Sequence, residues 1–364
     1  VTDGRARCAA GTGTDQGHDR GDVHDPSEMP TRFAAFVKAA EPGWNDVEVL
    51  SYEVMTGGYS RLLAKAVVRH DGVEEAVVLR GDPPVDKILI HTDRHQEWDL
   101  IRVLGDHGVR APRARWFDPS GEGLGTVALV IDFSGSESFL PYAAAGGSLD
   151  GLHLRLAEAL ASFHAIPLDH LPAQLERPTS WDDYLGRRID EWRRTAEDHV
   201  EDLPVLRYIS CWLDAHRPAQ APLVLMHGDF QSANLLLGPD GAFEILDWEL
   251  AAIGDPREDM GYFKAVAQAA APDLLDEAGI EAFCARYREL TGLTEAQVNP
   301  AVVTYFLVLG TVGTVRRLLE GGAEFARGTN RLLASIFNMN AVSFGQQMFL
   351  AATDALSVLD ESRA

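Results

Sequence analysis

Cysteine is scarce in this chain of 364 residues: Cys8, Cys211 and Cys284 are the only three, odd in number and far apart. No Cys-x-x-Cys pair occurs, so neither a structural zinc site nor a disulfide framework is expected. The twelve histidines form no His-Glu-x-x-His motif with a glutamate placed as base, which removes a zinc protease from consideration. Basic residues are outnumbered, 32 Lys and Arg against 55 Asp and Glu, for a formal net charge of −23. Such a surface repels phosphates, which excludes a broad nucleic-acid or anionic-membrane footprint and suits a cationic small molecule or a metal-bound nucleotide. No run approaches the roughly eighteen apolar residues of a membrane span, and no apolar signal core opens the sequence. A cytoplasmic protein, monomer or homodimer, is expected. What remains is ordinary: 46% hydrophobic and 24% charged residues, and a length that allows two cores.

Large apolar side chains are nearly absent from residues 1–30, so that stretch is expected to be a disordered tail. Met29 precedes a helical pattern over 31–40, and the first 28 residues read as an extension of the folded protein. From Val47 the pattern is β. Three apolar runs, 47–50, 62–69 and 75–80, are separated by Gly57-Gly58-Tyr59-Ser60 and by His70-Asp71-Gly72, as in an antiparallel meander. Read alone, the double glycine is most simply a hairpin turn. A helix is expected over 92–105, with Trp98, Ile101 and Leu104 as its apolar stripe and Glu97 beside it. A strand over 126–131 then runs into Asp132-Phe133-Ser134-Gly135-Ser136, the candidate hinge. Beyond it helices dominate, over 152–164 with Leu154, Leu156, Leu160 and Phe163 on one face, then 181–198, 205–216 and around 302–319. The expected architecture is α+β and bilobal: a nucleotide-binding lobe over 31–131 and a helical lobe over 132–364.

One stretch interrupts the helical half. Leu225-Met226-His227-Gly228-Asp229 leads to Asn234 and the apolar run Leu235-Leu236-Leu237. After the turn Gly238-Pro239-Asp240-Gly241 comes Phe243-Glu244-Ile245-Leu246-Asp247-Trp248-Glu249. Phosphoryl transfer needs a carboxylate to orient the attacking hydroxyl and take its proton, and oxygen ligands for a hard cation. An Asp and an Asn five residues apart, with a second Asp eighteen after the first, match the spacing of kinase catalytic and metal loops. Taken singly, each residue is an ordinary turn residue; the joint spacing carries the signal. His227 reads as structural support through hydrogen bonds.

The set His227-Gly228-Asp229-x-x-x-x-Asn234, Leu246-Asp247-Trp248-Glu249 and Gly254-Asp255-Pro256-x-x-Asp259 resembles the aminoglycoside phosphotransferase and choline-kinase-like superfamily. The Asp-Trp-Glu form most resembles its broad bacterial branch, which includes domains associated with acyl-CoA dehydrogenases. The resemblance implies a protein-kinase-like fold and ATP with Mg²⁺, GTP remaining open as donor. It implies Asp229 as catalytic base and Asn234 and Asp247 as metal ligands. It also implies Gly57, Gly58, Tyr59 and Ser60 as the nucleotide loop, Arg80 in place of the usual strand lysine, and Glu97 as the helix glutamate paired with it. Ile131, Asp132 and Phe133 would meet the adenine through backbone groups. Asp255 and Asp259 would brace the metal loop or cap a helix, and Glu249 stands as a possible substrate-facing residue. The chain departs from the family at Arg80, at Arg61 after the loop serine, and at Gln96 before the helix glutamate. Arginine can still fork onto phosphate oxygens, so these changes bear on nucleotide geometry more than on the reaction. The acceptor is a hydroxyl of a small molecule, with a metabolic hydroxyacyl or amino-alcohol kinase and a non-catalytic nucleotide-binding pseudokinase as alternatives.

Overall fold

The computed structural model describes residues 28–55, 62–82, 92–198, 204–270 and 274–313, with 315, 316, 319 and 349 besides. Residues 1–27 of the expected tail and the Gly57–Ser60 turn lie outside the described residues. Two compact units form, one from the chain up to Ile90 with Arg115–Ile131, the other from His91–Ala114 with the chain from Asp132 onward.

In the first unit, strands β1 (Glu48–Val54), β2 (Leu62–His70), β3 (Val73–Gly81), β4 (Ala114–Asp118) and β5 (Ala128–Asp132) make one sheet in the order β1-β2-β3-β5-β4. The first three are the antiparallel meander read from the sequence, with Ala66 opposite Tyr52 on one side and Val77 on the other. Leu62, Ala64, Ala66 and Val68 are buried at every second position of β2, because successive side chains of a strand point to opposite faces. Helix α1 (Met29–Ala40) buries Met29, Phe33 and Val37, one residue in four, in a core shared with Val77, Leu79 and Trp116.

Helix α2 (Arg94–Asp106) groups with the second unit, whereas the sequence reading places it in the N-terminal lobe. Long-range bonds decide this: Gln96 Nε2 donates to the Ala251 carbonyl at 3.4 Å, and Ile245 N–H donates to the Arg110 carbonyl at 2.8 Å. Its buried stripe is Arg94, Glu97, Leu100, Ile101 and Leu104, so Glu97 lies within the stripe and Trp98 at its half-buried edge. Six further helices follow α3 (Phe139–Ala144) among the described residues: α4 (Leu152–His164), α5 (Trp181–Asp198), α6 (Val205–Ala215), α7 (Pro256–Ala270), α8 (Glu277–Thr291) and α9 (Pro300–Gly310). On α4 the inward face is Leu152, Leu156, Leu160 and Phe163; Leu154, expected there, is 41% exposed because it falls off that period. Helices α7 and α9 cross closely at Gly261, where a Cβ would stand 2.3 Å from the Leu307 backbone nitrogen. Two small ladders join the helices, β6 (Glu137–Ser138) with β8 (Leu235–Leu237) and β9 (Phe243–Ile245), and β7 (Val224–Met226) with β10 (Ala252–Gly254). No helix among the described residues is long and apolar enough to cross a membrane.

Candidate active site

Strand β7 delivers the chain into His227-Gly228-Asp229, and its antiparallel partner β10, with Ala252 opposite Met226, draws the segment after Asp247 alongside. The glycine is dictated twice. Gly228 has φ +79°, and a Cβ there would lie 2.2 Å from the Leu250 carbonyl oxygen. Asp259, in the first turn of α7 and 1% exposed, grips this turn: Oδ2 accepts His227 N–H at 2.8 Å and Oδ1 accepts Gly228 N–H at 3.0 Å. Behind it stands His164, with Nδ1 2.6 Å from the Tyr287 hydroxyl and Nε2 3.3 Å from Asp259 Oδ2. Burial, and then the charges of Asp255 and Asp259, push the Tyr287 hydroxyl well above its ordinary pKa, so it stays protonated and donates. The His164 ring therefore passes the hydrogen bond on to Asp259. Phe163, Phe230, Trp248 and Phe263 floor the loop with ring centroids 5.0–6.3 Å apart in successive contacts.

The hydrogen bonds of His227 fix its tautomer. Its Nδ1 accepts Asp229 N–H at 3.2 Å, and its Nε2 lies 2.7 Å from the Leu246 carbonyl, which can only accept. The ring is engaged on both nitrogens and fully buried, so it holds the loop through these two hydrogen bonds. Asp229 is only partly buried. Its Oδ1 accepts Gln231 Nε2 and its Oδ2 accepts Asn234 Nδ2, each at 2.8 Å, and Asn234 Nδ2 also reaches the Asp229 carbonyl at 2.9 Å. Burial raises the Asp229 carboxyl above its ordinary value, against hydrogen bonds from Gln231, Tyr262 and Asn234.

Asn234 and Asp247 are brought to one end of the β8–β9 hairpin, since Leu246 N–H donates to the Asn234 carbonyl at 2.8 Å just beyond the ladder. With its nitrogen committed to Asp229, the Asn234 side chain has its oxygen left for a cation. Asp247 adopts the left-handed conformation, φ +66° and ψ 63°, a region that aspartate enters more readily than most L-residues. One amide oxygen and one carboxylate are a donor set that Mg²⁺ completes with waters and phosphate oxygens, so these residues fit the implied ion.

The other sequence candidates fall as follows. Asp255 is fully buried and accepts from Arg257 Nε at 2.7 Å, from the Arg257 backbone at 3.0 Å and from Trp181 Nε1 at 2.6 Å, which ties the start of α7 to α5. Arg80 is buried in β3 opposite Leu63. Glu97 Oε2 accepts from Arg94, whose Nη1 also lies 3.5 Å from Glu249 Oε2. The Glu249 side chain is 7% exposed, so it faces a guanidinium. Ile131 is buried, Asp132 N–H is engaged by the Arg113 carbonyl at 2.9 Å, and Phe133 is exposed. Sequence reasoning missed Gln231, Tyr262, His164 and Arg94. The first was open to it, two residues from Asp229; the others come from distant elements.

Beside Gly228 and Leu250 opens a cleft of about 460 Å³ in the second unit. Its charged wall is Arg187, Arg188 and Glu191 of α5, with Glu176 and Glu258. Arg188 Nε donates to Glu258 at 3.2 Å and its other nitrogens pair with Glu258 and Glu191; Arg187 Nε donates to Asp183 at 2.8 Å and Nη1 pairs with Glu176. Burial and the Glu258 charge push the Tyr184 hydroxyl, which bonds Glu258, well above its ordinary value.

The fold recurs in known structures. Aminoglycoside 2'-phosphotransferase-IIIa, in its GDP complex, superposes with a TM-score of 0.62 at 16% identity, covering 87% of this chain and 98% of that one. Ethanolamine kinase of Plasmodium vivax gives 0.60 at 13% identity, covering 88% and 86%. Among curated proteins, acyl-CoA dehydrogenase family member 10 of Mus musculus is 25% identical over 197 residues, 52% of this chain and 18% of that protein. Probable acyl-CoA dehydrogenase IBR3 of Arabidopsis thaliana is 29% identical over 201 residues, 51% and 24%. The chain thus matches about a fifth to a quarter of the length of these relatives. The model of the phosphotransferase enzyme family matches residues 46–293, a span holding the sheet, the Asp229 loop and the Asp247 turn, and the chain belongs to that family.

Proposed function

We propose that the protein is a small-molecule kinase that transfers the γ-phosphoryl group of ATP to a hydroxyl. The observation that carries this reading is the Asp229 carboxylate, held by Gln231 and Asn234 on a loop whose backbone is clamped by Asp259. Asp229 orients the acceptor hydroxyl and takes its proton, helped by a pKa that burial raises towards the working range. Asn234 and Asp247 would hold Mg²⁺, which would supply charge neutralisation at the phosphates. The family resemblance adds Arg80 and the Gly57–Ser60 loop as phosphate-binding groups, and Ile131 to Phe133 at the adenine.

The cleft beside Gly228 is the proposed acceptor site. Three glutamates line it against two arginines, and the arginines are matched by carboxylates, so its wall is net acidic and favours an amino-bearing hydroxyl compound. The names of the curated relatives favour a second reading, a metabolic kinase of a hydroxyacyl compound, in which an anionic acceptor displaces Glu176 or Glu191 from its arginine. Measuring ATP consumption with Mg²⁺ against a panel of amino-alcohols, aminoglycosides, neutral sugars and hydroxyacyl thioesters separates these. Acceptor-dependent turnover confined to amino-bearing hydroxyl compounds supports the first reading. Nucleotide binding with no turnover on any hydroxyl refutes both.

A further inference from the structure

Arg94 opens α2 and is 2% exposed although it carries a full charge. Its Nη1 meets Glu97 one turn along the helix and lies 3.5 Å from Glu249. The second carboxylate comes from the 3-10 turn Trp248–Leu250, which starts at the residue after Asp247. A neighbouring contact joins the same two segments, Gln96 Nε2 to the Ala251 carbonyl. Helix α2 therefore holds residues 249–251 by an ion pair and by a hydrogen bond to the backbone. That segment directly follows Asp247, which stands in the left-handed conformation at φ +66°, so what holds residues 249–251 also bears on where the Asp247 side chain is presented.

We infer that Arg94 is a positioning residue for Asp247. By drawing Glu249 against α2, its guanidinium holds the turn that aims the Asp247 carboxylate at the cation, so Glu249 anchors the metal loop and does not contact the acceptor. The inference rests on the proposed role of Asp247 as a Mg²⁺ ligand. Losing the arginine removes the ion pair that ties Glu249 to α2 and weakens the hold on the turn after Asp247.

The test uses the full chain and calorimetric binding of ADP with and without Mg²⁺. Arg94→Met is expected to lose about fivefold or more of the affinity that Mg²⁺ adds, a coupling of ordinary size, while ADP affinity in EDTA stays near wild type. Arg94→Lys restores part of that gain. Glu249→Gln, which keeps the volume, shows the loss in the same direction and carries the test if Arg94→Met does not fold. A merely structural Arg94 would lower the melting temperature and leave the Mg²⁺ dependence alone. Folded Arg94→Met and Glu249→Gln proteins with wild-type Mg²⁺ dependence, beside an Asp247→Ala protein that has lost it, overturn the inference and spare the metal assignment. Unchanged dependence in Asp247→Ala overturns both.

Discussion

Replacing Asp259 by asparagine keeps the shape of the side chain and removes one acceptor from the turn that carries Asp229. In the native protein both carboxylate oxygens are used, Oδ2 by His227 N–H at 2.8 Å and Oδ1 by Gly228 N–H at 3.0 Å, with His164 Nε2 a further 3.3 Å neighbour. Asparagine offers one oxygen to these donors and turns an NH₂ towards the other N–H. A hydrogen bond to a charged acceptor contributes about 1.5–3 kcal/mol, and a buried donor left without a partner costs about 1–3 kcal/mol. The two overlap, so a loss of about 2–4 kcal/mol is expected. At roughly 1–2 °C per kcal/mol for a chain of this length, the melting temperature should fall by about 3–6 °C. Turnover should fall as well, because the released backbone is that of Asp229 and its neighbours. Thermal denaturation and steady-state kinetics on the same preparation check both. A variant that melts within about 2 °C of wild type and turns over normally would refute the idea that Asp259 fixes the loop.

Gly228→Ala places a Cβ at φ +79° and 2.2 Å from the Leu250 carbonyl oxygen, so the loop or the turn after Asp247 must move. A displacement near 1 Å is enough to lower turnover by about a hundredfold, which kinetics on the folded variant would register. The acid limb of kcat/KM should lie above the ordinary aspartate value of about 3.9, because burial raises Asp229 and the reaction needs it ionised. Gln231→Ala removes a hydrogen bond that favours the charged form, so it should move that limb to still higher pH. The sign for stability is the reverse of the usual aspartate case. Asp229 subtracts stability as pH rises through its raised folded-state pKa, and this penalty is absent below the unfolded value.

The periodic parts of the fold were legible from residues alone. The bounds of α4 and α5, the β2–β3 hairpin and the spacing of α1 follow from apolar residues recurring with the period of the element. Helix α7 gives no such signal, since Arg257, Glu258 and Asp259 are buried with its apolar residues and break the pattern. Strands β7 and β10 have three residues each, too few to show alternation. At the site, Asp229, Asn234 and Asp247 could be read because they are joined by a short loop and one hairpin, where spacing in sequence is spacing in space. Arg94 and Glu249 could not: like Gln96 and Ala251, they are 155 residues apart, and nothing in the chain between them encodes the meeting of α2 with the turn after Asp247.

The account stands most directly on Asp229. The decisive measurement compares wild type with Asp229→Asn for phosphoryl transfer to whichever acceptor supports turnover, with Mg²⁺-nucleotide affinity measured beside it. Loss of a general base lowers the rate by about 10²–10⁴-fold, and since Asp229 acts on the acceptor, nucleotide affinity should stay near wild type. Transfer at the wild-type rate by Asp229→Asn would contradict the account.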